Sequence, residues 1–222
     1  MKINKLFWSY LLLSFFIFSN AVSAQVPVRE EPHHKVFLEN EYVRLIDVHI
    51  APHDTTLIHI HAAPSVIVFL TKSKIGTQIV GDSAVVSNVM PAQTSYAAYD
   101  KKPITHRVWN RGDSMFHVMD IEMVKTDPAA DSCAVLSQPG AKMQIVQKLV
   151  RVYNIDFNSS TKYKIEKSTC AYLLINVSGN VTTYSGNVVS GVQPGKFVFF
   201  SPQSSFEINA SKNAQCVLLQ LK

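Results

Sequence analysis

Three histidines arrive in two separated packets, and their types and spacing suit metal chemistry. His59-Ile60-His61 sits in an apolar, β-rich run, and about forty-five residues later comes His106, with Asn110 shortly after it. A strand turns alternate residues to opposite faces, so His59 and His61 project together from one strand. A third histidine from a distant strand would close one face of a metal ion and leave positions open for substrate or oxygen. That is the layout of a catalytic metal site rather than a closed structural one. Two imidazoles on an inward apolar face are also costly to bury without a partner.

Strands must position these side chains. Alternation and β-branched residues predict strands over 42–50, 55–61, 66–71, 77–80, 84–90, 95–99, 104–110 and 115–124, with turn residues every eight to twelve positions. Short strands at that spacing indicate a β sandwich or barrel. The pattern then repeats at an offset near one hundred residues. Val43-Arg-Leu-Ile is echoed by Val150-Arg-Val-Tyr, and Val89-Met-Pro91 by Val192-Gln-Pro194. A repeat this long means two copies of a domain. The second copy contains no histidine, so it cannot hold the same site. A run rich in Asp, Pro, Ala and Ser near 126–138 predicts a linker over 126–144, between a domain at 25–125 and one at 145–222.

The arrangement resembles the cupin superfamily. Its first motif is matched by His59, His61 and loosely Gly76, and its second by Pro91, His106 and Asn110. The resemblance implies an all-β fold of two tandem double-stranded β-helix (jelly-roll) barrels, a bicupin with a three-histidine metal site in the first barrel and a degenerate second barrel. The chain departs from the family pattern in having Ser65 where an acidic ligand is usual, and His53 and Gln93 at glycine positions. Three neutral imidazoles would leave a divalent metal its full charge, which favours an anionic, chelating small-molecule substrate. The resemblance implies Fe(II) first, with Mn, Ni, Cu or Zn also accepted by imidazole. Dioxygenation is the first reaction class implied, then isomerisation or decarboxylation. A non-enzymatic exported module for sugars or small ligands, or a purely structural protein, are the alternatives.

Ser65, His117 and Tyr96 are the expected pocket or supporting residues, while Asn110 reads as a turn residue. Arg107 should point away from the metal. Residues 25–35, including His33 and His34, read as an extended leader.

Ahead of that leader, Lys2 and Lys5 precede an apolar run from Phe7 to Phe18 and small residues at Val22 and Ala24. This predicts a secretory signal peptide over 1–24, cleaved after Ala24, a periplasmic or secreted location, and no membrane attachment after cleavage. The whole chain carries +5, and loss of Lys2 and Lys5 leaves +3. No basic stripe interleaved with aromatics is present, which argues against nucleic acid as a partner. A homodimer is a further expectation from the fold. Of the three cysteines, Cys170 and Cys216 are the expected disulfide pair if one forms, because Cys133 lies in the linker.

Overall fold

The computed structural model describes residues 25–125, 133–158 and 161–222. The predicted signal peptide and the first part of the linker lie outside these residues. The first half contains β1 (Val26–Pro27), β2 (His34–Glu39), β3 (Val43–Ile50), β4 (His59–His61), β5 (Pro64–Phe69), β6 (Ser73–Ile79), β7 (Val85–Val89), β8 (Thr94–Ala98), β9 (Ile104–Asn110) and β10 (Phe116–Met123). The second contains β11 (Ala141–Val146), β12 (Val150–Asp156), β13 (Lys162–Ile165), β14 (Ala171–Ser178), β15 (Val181–Ser185), β16 (Val188–Val192), β17 (Phe197–Phe200), β18 (Phe206–Ala210) and β19 (Gln215–Leu221).

Each half is a jelly roll of two facing sheets. In the first, β1-β4-β9-β6-β7 faces β2-β3-β10-β5-β8; in the second, β13-β18-β15-β16 faces β11-β12-β19-β14-β17. Strand for strand the order is the same, except that β1 has no counterpart. The architecture is therefore the pair of β barrels that the repeat implies.

Alternation along the strands assigns the cores. On β3, Ile46, Val48 and Ile50 fill the first barrel, while Val43 and Leu45 point out of it. On β10, Phe116 and Val118 turn inward, and Met119, Ile121 and Met123 outward. The outward set meets Val152, Leu173, Ile175, Val217 and Leu219 of the second barrel in one continuous apolar layer. The two barrels thus share a sheet-on-sheet core. Asn154 adds a hydrogen bond across it, its Nδ2 donating to the Ala92 carbonyl at 2.9 Å.

Three expectations are corrected. The leader is a built element: Val26 pairs in parallel with His59, and His34 opens a strand against β3. The second barrel begins earlier than expected, because β11 starts at Ala141, inside the predicted linker, and pairs with β12. The disulfide joins Cys133 to Cys170, with Cα atoms 5.9 Å apart, and Cys216 is free and buried. The described end of the linker is pinned against the second barrel, with Arg151 donating to the Cys133 carbonyl at 2.8 Å and Gln220 to that of Ala134 at 2.9 Å. This anchoring brings Cys133 to Cys170, whereas the Cys216 side chain packs into the apolar core of the second barrel.

Candidate metal centre

His59 and His61 emerge on the inward face of β4, and β9 lies antiparallel beside it with His106 directly opposite His59. All three rings are buried. Their candidate ligand atoms lie within 4.8 Å of one another, and His59 Nε2 and His106 Nε2 are 3.0 Å apart. Two nitrogens bound to one ion at about 2.1 Å are separated by about 3.0–3.4 Å at octahedral or tetrahedral angles.

The backbone sets the His59 tautomer. Its Nδ1–H donates to the Leu57 carbonyl at 2.9 Å, which leaves a lone pair on Nε2. Leu57 is itself held: its N–H donates to the buried Glu31 carboxylate at 3.0 Å. Burial alone would raise the Glu31 carboxyl, but hydrogen bonds from His33 and Leu57 bring it below its usual value. The segment taken as a leader therefore orients the first histidine through two hydrogen bonds.

Burial, with repulsion from His34 and His61, pushes His59 down to about 4 against the opposing hydrogen bond to the Leu57 carbonyl. Burial, then repulsion from His59 and His61, pushes His106 down to about 3. Both are neutral near pH 7, as a metal ligand must be. Three buried polar groups around them lack partners: His106 Nδ1, His61 Nδ1 and both Asp120 carboxylate oxygens. His61 Nδ1 stands 3.2 Å from Asp120 Oδ2, off the angle of a hydrogen bond. Orphaned imidazole and carboxylate atoms converging in one place are a donor set that fits a cation.

These groups open onto a cavity of about 350 Å³ in the first barrel, with mostly apolar walls such as Ile50, Ile67, Phe69, Ile75 and Phe116. Among the described residues, no lysine or arginine lines it. Tyr99 does, with its ring 5.1 Å from that of His61, and its hydroxyl is pushed up to about 12 by burial and then by Asp120. His34 also lines it, edge-on to His59 at 4.8 Å, its Nδ1–H donating to the Val28 carbonyl at 2.7 Å.

The expected supporting residues lie elsewhere. Ser65 is on the inward-facing row of β5 but is fully buried beyond the cavity walls, its hydroxyl bonded to the Ala63 carbonyl at 3.2 Å. Tyr96 faces out of the barrel into the shared core, because Ser95 takes the inward position. His117 is likewise on the outward face of β10. Asn110 is a turn brace, donating to the carbonyls of Ile50 and Ser114 at 3.0 and 2.7 Å and accepting from Gly112 N–H at 2.9 Å. Arg107 is exposed and bonds Gln78. Asp120, Tyr99 and His34 were missed. An acid at alternating spacing behind Phe116 and Val118 was the available signal for Asp120.

In the second barrel apolar side chains occupy the equivalent interior. Ile165 of β13 pairs with Phe206 of β18, and Phe206 stacks on Phe200 at 3.7 Å and meets Tyr172 edge-on at 5.5 Å.

No protein-family model matches the sequence, and no curated protein matches it. Solved structures do. AerE from Microcystis aeruginosa superposes with a TM-score of 0.62 at 12% identity, over 88% of this chain and 95% of that one. Salicylate 1,2-dioxygenase from Pseudoaminobacter salicylatoxidans, with gentisate, gives 0.59 at 9% identity over 81% and 68% of the two chains. A cupin 2 conserved barrel domain protein from Leptotrichia buccalis gives 0.57 at 12% identity over 90% and 92%.

Proposed function

We propose that this chain, which has the cupin fold, is an exported metal-dependent enzyme whose first barrel holds one divalent ion, Fe(II) in the first instance, through His59, His61 and His106. The observation that carries the reading is the convergence of three buried imidazoles, two of them held neutral, on a cavity large enough for a small molecule. The likeness to a solved salicylate dioxygenase supports dioxygenation as the reaction class, acting on a small chelating anion. The disulfide, and the apolar run ahead of Ala24, support a periplasmic or secreted location. Homodimerisation remains part of the proposal.

When bound, the ion supplies Lewis acidity and a template that brings chelate and oxygen together. The protein groups have separate tasks. Asp120 lies behind His61 and would offset part of the charge of a bound ion, so a monoanionic chelate would balance the site better than a dianion. Tyr99 keeps its proton and offers a donor to an oxygen of the bound molecule. The apolar walls exclude water and receive the substrate body. With no lysine or arginine among the described residues on the walls, a substrate anion is held by the centre and the Tyr99 hydroxyl.

Metal analysis of anaerobically iron-loaded protein tests this. Wild type retains one more ion per chain than His106→Ala, and it consumes oxygen with some member of a panel of catecholates, hydroxy acids and diketones. Equal metal content in the two proteins overturns the reading. A retained ion without oxygen uptake moves the function to the non-enzymatic binding module.

A further inference from the structure

A second group of ligating side chains lies outside the cavity. Asp47 and His49 share the outward face of β3, and His117 on β10 is the direct cross-strand partner of His49. One ligand atom from each lies within 4.8 Å of the others. Asp47 Oδ1 accepts from His117 Nε2 at 2.6 Å, and Oδ2 from His49 Nε2 at 3.1 Å. The two rings stack at 4.0 Å, inclined by 24°.

We propose that Asp47, His49 and His117 form a second divalent-metal site, on the seam between the barrels and independent of the cavity. Two imidazoles and one carboxylate are a mixed nitrogen–oxygen donor set that suits Zn, Ni or Cu and leaves positions for water. Exposure grades across the group, with side chains 6% exposed at Asp47, 15% at His117 and 45% at His49. The carboxylate is thus a buried floor and His49 the side open to solvent, so an ion has a route in. The Asp47 carboxylate is paired with these two imidazoles.

The second barrel seats the site. Gly195, in the turn between β16 and β17, has φ +75, and a Cβ there would come 2.8 Å from His117 Cε1. Only a glycine both takes that backbone conformation without strain and lets the turn lie against the ring. The His117 backbone N–H donates to Thr71 Oγ1 at 2.9 Å, which holds β10 in place at this residue. An ion here would bridge β3 and β10 directly beneath a turn of the other barrel, and so tie metal binding to the stability of the seam.

Two imidazole hydrogen bonds also satisfy Asp47 without a metal, and the test separates the two cases. Chelator-stripped protein without an affinity tag is titrated with Zn²⁺ at micromolar concentration, with bound metal counted after gel filtration. His49→Ala is expected to lose one zinc per chain relative to wild type, and a His59→Ala/His106→Ala variant to keep the seam zinc. In that cavity variant Zn²⁺ is expected to raise the thermal midpoint, and adding His49→Ala is expected to abolish the rise. His49 is half exposed, so its removal leaves the fold intact, which circular dichroism checks. If the cavity holds no metal, wild type binds one zinc and His49→Ala none, which sustains this proposal while removing the other. Equal zinc content and equal midpoint shifts with and without His49 overturn it, as does binding that requires millimolar zinc.

Discussion

Lowering the pH of the metal-free protein from 7 to 5 should cost it stability through two histidines. In the unfolded chain His59 and His106 protonate near 6.5, whereas burial holds them neutral down to about 4 and about 3 in the fold. A depressed folded value means that the unfolded state takes up protons first, so stability is complete above about 6.5 and falls as the pH drops below it. Between pH 7 and 5 each histidine contributes about 1.9 kcal/mol of loss, or about 4 kcal/mol together, against a typical total of about 5–15 kcal/mol. His34, also lowered by burial, adds to the loss, while His33, raised by Glu31 and Asp54 against its own burial, and Glu122, raised chiefly by burial, oppose it. The lowered carboxyls of Glu31 and Asp47 act below this window. The assay is urea denaturation in chelator at pH 7, 6 and 5, on wild type and on His59→Gln/His106→Gln. Glutamine does not titrate, so the double variant should lose about 4 kcal/mol less over the same range, with the opposing groups common to both. Parallel pH profiles for the two proteins would refute the argument that these imidazoles are held neutral.

Two further outcomes follow from single positions. Cys133→Ser opens the loop closed by the bond to Cys170, a sequence separation of 37, and should lower stability by about 4 kcal/mol on the chain-entropy account, measured by denaturation with the parent's reduced form as control. Gly76→Val places a side chain where a Cβ would come 2.0 Å from the Trp109 ring; a cost of about 1–3 kcal/mol and a shifted emission from Trp109, the only tryptophan after residue 24, should result.

Much of this was legible in the chain itself. Period-two alternation located most strands to within a few residues, and the echo of Val43 by Val150 implied the second barrel. The His59-x-His61 pair needed only alternation to share a face, and His106 sits opposite because β9 runs antiparallel beside β4. What escaped depended on contacts distant in sequence. His34 reaches the cavity only because the segment before it pairs with β4, which no local pattern announces. Tyr96 and Tyr99 differ in strand phase: Ser95 faces the cavity, so alternation turns Tyr96 outward and brings Tyr99, four residues after Ser95, back to the inward face. The disulfide was misassigned because composition marks Cys133 as linker, while the hydrogen bonds that anchor it come from Arg151 and Gln220, far along the chain. Asp120 was passed over because apolar residues flank it on both faces of β10, which hides an inward acid.

The shared layer makes the first barrel depend on the second. The second barrel packs Phe200, Phe206 and Tyr172 in its interior and carries no histidine, yet it cannot be deleted. Removing it would bare the row of Val43, Leu45, Val66, Val68, Met119 and Ile121 to water, an apolar expanse that a lone soluble domain does not tolerate. A barrel without histidines thus serves the other as ballast, tolerant of change in its loops but bound to keep one face greasy.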